Sequence, residues 1–197
     1  MKYIIAVIFL LIWLYLLWVT ERAKLNFWHY IVGAMGLFLF MMIWIRPVMT
    51  EPLARAVAAF AGLVGKLTNT FSPYFKYGIL FVQSAAGAVT LQIDFECSGI
   101  IEIMAFLSLL VFFRVYSVPE RVIVGIMGVW YIMLANALRI IVICEMIHFM
   151  GIDVYYMAHT IVGRLVFYAL SVLLYFYVFT KPQIIRMKIG RFSYGNH

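Results

Sequence analysis

Three residues of this chain belong to types that together carry out acyl transfer: Cys97, Arg139 and His159. Cys97 ends an alternating stretch and precedes Ser98-Gly99 and an apolar run, so it sits at a strand-to-helix junction. There the N–H groups of the first helical turn favour thiolate over thiol and can hold an oxyanion. Taken alone, a cysteine in an apolar chain also reads as a small buried hydrophobe, and Cys144, within Ile-Val-Ile-Cys144, fits that description better. Arg139 lies in Asn136-Ala-Leu-Arg139, on a helical stretch otherwise free of charge. An ionised side chain there costs roughly a few kcal/mol unless it snorkels or finds a partner. Asn136, three residues earlier on the same face, is placed to orient it. His159 opens His159-Thr-Ile-Val-Gly163, where Gly163 lies one turn below on the same face and lets a neighbour approach closely. A lone histidine at an interface is often just a polar end, but as an acid and base near neutral pH it suits a cysteine nucleophile. Nucleophile, proton carrier and fixed cation form the minimal set for acyl transfer.

The elements that must position these residues are membrane spans. The 197 residues are 66% apolar, 18% aromatic and 12% charged, which excludes a soluble globular protein. Two cysteines are too few for a disulfide-built scaffold. The whole chain, 1–197, reads as one all-α polytopic membrane domain. Its apolar runs are Tyr3 to Thr20, Phe27 to Ile45, Gly99 to about Val118, Val122 to about Ile143, and Ala158 to Thr180. Five spans are preferred, with a sixth possible. The first run follows Lys2 but is long and ends without a small-residue cleavage site, so it reads as retained and not as a signal peptide.

Charge sets the orientation. The formal +7 does not indicate nucleic acid, because no basic groove interleaved with aromatics accompanies it. The joint 114–121 carries Arg114 and Arg121, the joint 144–157 carries no Lys or Arg, and the tail 181–197 carries Lys181, Arg186, Lys188 and Arg191. The positive-inside rule puts the first and last in the cytoplasm, the tail beside anionic lipid. Cys97, Arg139 and His159 then converge near the outer face of the cell membrane, within a core spanning 97–180.

Segment 53–97 is expected outside. Leu53, Val57, Phe60, Val64, Leu67 and Phe71 share one helical stripe, while Arg55, Gly62, Lys66 and Asn69 share the other. This is an amphipathic helix, interfacial in preference to spanning because Arg55 and Lys66 are costly at mid-membrane. From Ala88 to Cys97 apolar and polar residues alternate as in a half-buried strand, with Ile79 to Val82 as its partner in a small β-hairpin. Glu96 would raise the Cys97 pKa unless this alternation turns it away.

Cys97-Ser-Gly99 entering a membrane helix, Asn136-x-x-Arg139 late in the next, and His159-x-x-x-Gly163 opening the last resemble, in order and spacing, the exosortase and archaeosortase family of membrane cysteine transpeptidases. The likeness runs from about Leu53 to Thr180 and is strongest to the short branch of Gram-positive bacteria. The resemblance implies an exported protein substrate whose C-terminal sorting signal has a recognition motif, a transmembrane helix and a basic cluster. It implies attack by Cys97 on the peptide carbonyl and protonation of the leaving amine by His159. Arg139 would stabilise the oxyanion or hold the substrate, and the thioester would pass to an acceptor or to water. Ser98, Gly99, Asn136 and Gly163 would support the site, and no metal or organic cofactor is implied.

Other chemistries have thinner support. A metalloprotease set would be Glu145-x-x-His148 with Asp153 and His159, but no HExxH occurs. Thiol redox chemistry would pair Cys97 with Cys144, without a C-x-x-C. A channel, carrier or accessory subunit would use Glu102, Arg139 and Arg164 as intramembrane polar contacts, although no inverted repeat suggests a transporter. Glu102 and Arg164, each five residues from a site residue, suit equally a supporting role.

Overall fold

The computed structural model describes residues 2–74, 77–84 and 87–185, with side chains from residue 7 onward. The apolar runs form α1 (Lys2–Arg22) and α2 (Asn26–Trp44), packed as an antiparallel pair. Close approach is possible because Gly36 has no side chain: a Cβ there would lie 2.0 Å from Trp13 Nε1. Trp13 Nε1 then donates to the Val32 carbonyl at 3.0 Å, a bond that an apolar surrounding makes valuable. Ile45 alone separates α2 from α3 (Arg46–Thr68), which begins with Pro47 in its first turn and ends where Asn69 turns left-handed at φ 58°.

Among the described residues, four helical stretches are long and apolar enough to cross a membrane: Asn26–Trp44, Arg46–Thr68, Val118–Met150 and Ile152–Ile185. For α3, contacts argue against crossing. At its start the Arg46 guanidinium lies 4.0 Å from the centroid of Phe95, two residues before Cys97. Beyond its end, Thr70 Oγ1 donates to Glu145 at 2.8 Å, near the end of α5 (Val118–Met150). Both ends of α3 therefore lie at the Cys97 end of the bundle, and its buried Val57, Ala58 and Ala61 seat it across α5.

Three expectations about boundaries need correction. The span expected from Gly99 to Val118 is α4, Ile100–Phe112, only 13 residues, or about 20 Å at about 1.5 Å per residue. It stops because Phe113 turns extended and Ser117 opens the next helix in a capping box with Glu120. Arg121 caps the vacated end by donating to the Phe113 and Tyr116 carbonyls. Helix α5 is longer than expected, 33 residues or about 50 Å, well beyond a hydrocarbon core of about 30 Å. The last helical stretch starts earlier than Ala158, at the 3₁₀ turn Ile152–Val154. It continues as a π-helical turn Met157–Val162, α6 (Gly163–Tyr175) and a second π turn Phe176–Thr180.

The expected hairpin has a third strand. β1 (Phe71–Tyr74), β2 (Ile79–Ser84) and β3 (Gly87–Gln92) form an antiparallel sheet in that order, with Phe71 opposite Val82 and Leu80 opposite Leu91. Phe71, expected on the helix stripe, instead lies in β1 and is buried against Gly65, because Asn69 has already ended α3. The strand expected to reach Cys97 ends at Gln92, yet burial keeps alternating through Ile93 and Phe95 to Cys97.

The bundle has two distinct ends. At one, Arg114 bonds Asn26 at 2.9 Å and the Tyr116 hydroxyl donates to the Val178 carbonyl at 2.7 Å, gathering the α1–α2, α4–α5 and α6 ends with Arg121 and Lys181. The sheet, both ends of α3 and Cys97 occupy the other. In the tail, Arg186, Lys188 and Arg191 lie outside the described residues.

Candidate active site

Cys97 sits in the turn between β3 and α4, and the local sequence holds it tightly. Ser98 Oγ donates to the Phe95 carbonyl at 3.0 Å and accepts the Ile100 N–H at 3.4 Å. Gly99, the residue before α4, has φ 77°, a conformation that a side chain disfavours, and it lies against Asn136, which a Cβ there would meet at an ordinary contact distance of 3.4 Å. Asp94 takes the Cys97 N–H, through its carbonyl at 3.2 Å and its carboxylate at 3.1 Å. Sequence reasoning missed Asp94, although an acid three residues before a turn is a known turn-forming signal.

The other two residues meet the thiol. Cys97 Sγ lies 3.1 Å from His159 Nε2, and an Arg139 guanidinium nitrogen lies 3.9 Å from the same sulfur. His159 is carried by the π turn Met157–Val162, a widened helical turn of the kind found at functional sites. Tyr155, four residues earlier, stacks on its ring with centroids 5.6 Å apart and planes 18° apart. That spacing of four places Tyr155 on the His159 face and was available in the sequence. Gly163 admits α5: a Cβ there would meet Ile143 at 2.8 Å and the Ala158 carbonyl at 3.0 Å.

Arg139 is 5% exposed, and among the described residues no carboxylate lies within ion-pair distance of it. Its guanidinium faces the ring of Phe167, 5.9 Å from the centroid, and its Nε has no hydrogen-bond partner. Asn136 does not orient Arg139 as expected. Its side-chain amide donates to the Cys97 carbonyl at 2.6 Å, fixing the backbone of the turn from inside, and its Oδ1 has no partner. Glu102 feels the Arg139 charge without pairing with it, and Arg164 is exposed on the helix surface.

The expected lowering of the thiol pKa is corrected. Burial pushes the Cys97 thiol up to about 11; Arg139 pulls it down, while Asp94 and the more weakly felt Glu96 push it further up. The thiol also lies before the left-handed Gly99, outside the first turn of α4, and its own N–H is engaged by Asp94. The resting group is therefore a thiol beside an imidazole, and ionisation requires transfer of its proton to His159 Nε2.

A small cavity of about 30 Å³ opens at the sulfur, bordered by Leu91, Gln92, Ile93, Ile140 and Tyr155. The other candidate sets do not assemble. Glu145 accepts from Thr68 and Thr70, His148 meets the Gln83 carbonyl, and among the described residues no three metal-ligating side chains come together. Cys144 is a free thiol fully buried in the core.

A model of the transmembrane exosortase family (Exosortase_EpsH) matches residues 2–177. The chain belongs to this family. The match covers every helix from α1 to α6 and all three residues around the thiol, so the exosortase assignment does not rest on one motif. No curated protein and no solved structure matches the chain. Exosortase membership supports a membrane transpeptidase or protease role in general.

Proposed function

We propose that the chain is a membrane-embedded cysteine transpeptidase that cleaves the C-terminal sorting signal of exported proteins at the outer face of the cell membrane. The observation that carries this reading is the 3.1 Å contact between Cys97 Sγ and His159 Nε2, with the buried Arg139 cation beside the same sulfur. As Sγ bonds to the scissile carbonyl carbon, its proton passes to His159 Nε2 and the carbonyl π electrons move to oxygen. Because Asp94 already occupies the Cys97 N–H, the Arg139 guanidinium is the donor for that oxyanion. Collapse breaks the C–N bond, His159 returns its proton to the leaving amine, and a thioester remains. An acceptor nucleophile or water then releases the product and regenerates the thiol.

Charge and helix length support the outer placement. Arg121 at the basic end and Arg139 are separated by roughly 27 Å along α5, close to the thickness of a hydrocarbon core of about 30 Å. With Arg114, Arg121 and Lys181 inside, Arg139 reaches the outer boundary and the last turns of α5 project beyond it to carry the sheet. The substrate then presents its motif outside, its transmembrane helix in lipid and its basic cluster in the cytoplasm.

The test replaces Cys97, Arg139 and His159 separately with alanine and follows the size of exported, membrane-anchored proteins in the cells that carry the chain. Each replacement should leave the sorting signal attached. Normal processing by Cys97→Ala would sink the transpeptidase reading, and loss confined to Cys144→Ala would point to thiol redox chemistry.

A further inference from the structure

The sheet has two outer edges, and they are treated differently. The Gln83 N–H reaches the Thr70 carbonyl at 3.2 Å, and by the alternation of an antiparallel ladder Ser72 and Tyr74 bond Phe81 and Ile79, so the position of Pro73 that lacks an N–H points outward. Gly62 of α3 packs against Pro73, and α3 backs this strand. A proline and a covering helix are both means of blunting an edge.

The edge of β3 has neither. The Ile93 N–H reaches inward to the Gly78 carbonyl at 3.0 Å, and in an antiparallel ladder this direction alternates along the strand. Leu91 and Val89, opposite Leu80 and Val82, therefore bond β2, and the N–H and C=O groups of Thr90 and Gln92 point outward. Among the described residues nothing bonds them. Thr90 and Gln92 are exposed, and Gly87–Gln92 contains no proline and no charge. This open edge leads to the thiol: Leu91, Gln92 and Ile93 border the same cavity as Cys97 and His159.

We propose that an extended segment of the substrate beside its scissile bond adds to β3 as a fourth strand, bonding the outward backbone groups of Thr90 and Gln92 and so delivering the peptide carbonyl to Cys97. The proposal rests on the peptide-cleaving reading above and adds how that peptide is held. Backbone bonds supply the binding while alternate side chains read pockets. The cavity beside the sulfur is small, about 30 Å³, and lies at the position such a side chain would face.

The test uses the full chain in its own cells, with the exported proteins that accumulate uncleaved in Cys97→Ala as the probe set. Thr90→Pro removes an outward N–H without touching the β2 ladder, whereas Thr90→Val keeps it. Thr90→Pro should raise the uncleaved fraction at least tenfold while Cys97 alkylation by iodoacetamide stays within twofold of the parent; Thr90→Val should process normally. Independently, a photo-crosslinking residue at position 90 in the Cys97→Ala chain should capture proteins of the probe set, and one at the exposed position 74 on β1 should not. Normal processing by Thr90→Pro, or no capture at position 90, overturns the fourth-strand proposal and leaves the transpeptidase intact. Where Thr90→Pro disturbs alkylation, the crosslink decides. An empty probe set overturns both readings.

Discussion

At the scale of single residues, the site is organised around a neutral resting pair. Burial pushes the Cys97 pKa up to about 11 against the pull of Arg139, with Asp94 and Glu96 adding to the rise. Since the thiolate is the reactive form, iodoacetamide alkylation of Cys97 should keep climbing through pH 9 and 10. Asp94→Asn should move the profile to lower pH and Arg139→Ala to higher pH; a plateau below pH 8 would instead mark a standing thiolate–imidazolium pair. Among the described residues, Arg139 is a buried cation with no carboxylate within ion-pair distance, which suits an anion that exists only during reaction. Replacement by lysine keeps the charge but loses the planar fork. Processing by Arg139→Lys should fall by about 10²-fold or more, the range for loss of one oxyanion donor, with little change in chain abundance on immunoblots. A variant as active as the parent would remove Arg139 from the chemistry.

At the scale of elements, the β3–α4 junction does the positioning. Gly99 at φ 77° lets the chain turn from sheet to helix, and the Asn136 amide closes the turn by holding the Cys97 carbonyl from α5. Gly99→Ala should cost about 1–2 kcal/mol for the left-handed backbone, while the new methyl meets Asn136 at an ordinary 3.4 Å. The expected readout is a lower melting temperature in detergent together with weaker Cys97–His159 coupling, seen as loss of processing larger than the loss of folded chain. Equal losses would assign Gly99 to stability alone. The π turn around His159 has the same character: its widened geometry and the stacked Tyr155 set where the imidazole points.

At the scale of the whole molecule, the decisive feature is that α3 returns to the end where it began. Arg46 over Phe95 and Thr70 on Glu145 hold both ends of α3 at the site end, which supports an interfacial helix in which neither Arg55 nor Lys66 crosses lipid. In a chain carrying Cys97→Ala and Cys144→Ala, single cysteines at the exposed positions 55 and 66 should react with a membrane-impermeant maleimide added outside intact cells. Cysteines at the exposed positions 114 and 181 should react only after lysis. Opposite labelling of 55 and 66 would make α3 a span.

How much of this was legible in the sequence differs by kind of information. Composition and charge-free runs determined a polytopic helical membrane protein, because lipid demands apolar side chains and internally bonded backbone. Scarcity of charge picked out Arg139, and the Lys and Arg asymmetry brought Cys97 and His159 to its depth. Periodicity read α3 as amphipathic and the approach to Cys97 as alternating, since both are properties of the local backbone. Boundaries were less legible: α4 is cut short by the Ser117–Glu120 capping box that opens α5, a competition between two helices for the same residues. Only the tertiary structure decided that Asn136 holds the Cys97 carbonyl, that Asp94 consumes the Cys97 N–H, and that β3 presents its open edge beside the thiol. Those partners depend on how helices rotate and seat against one another. Local spacing places a residue on a face, but what that face meets is set by the packing of the rest of the chain.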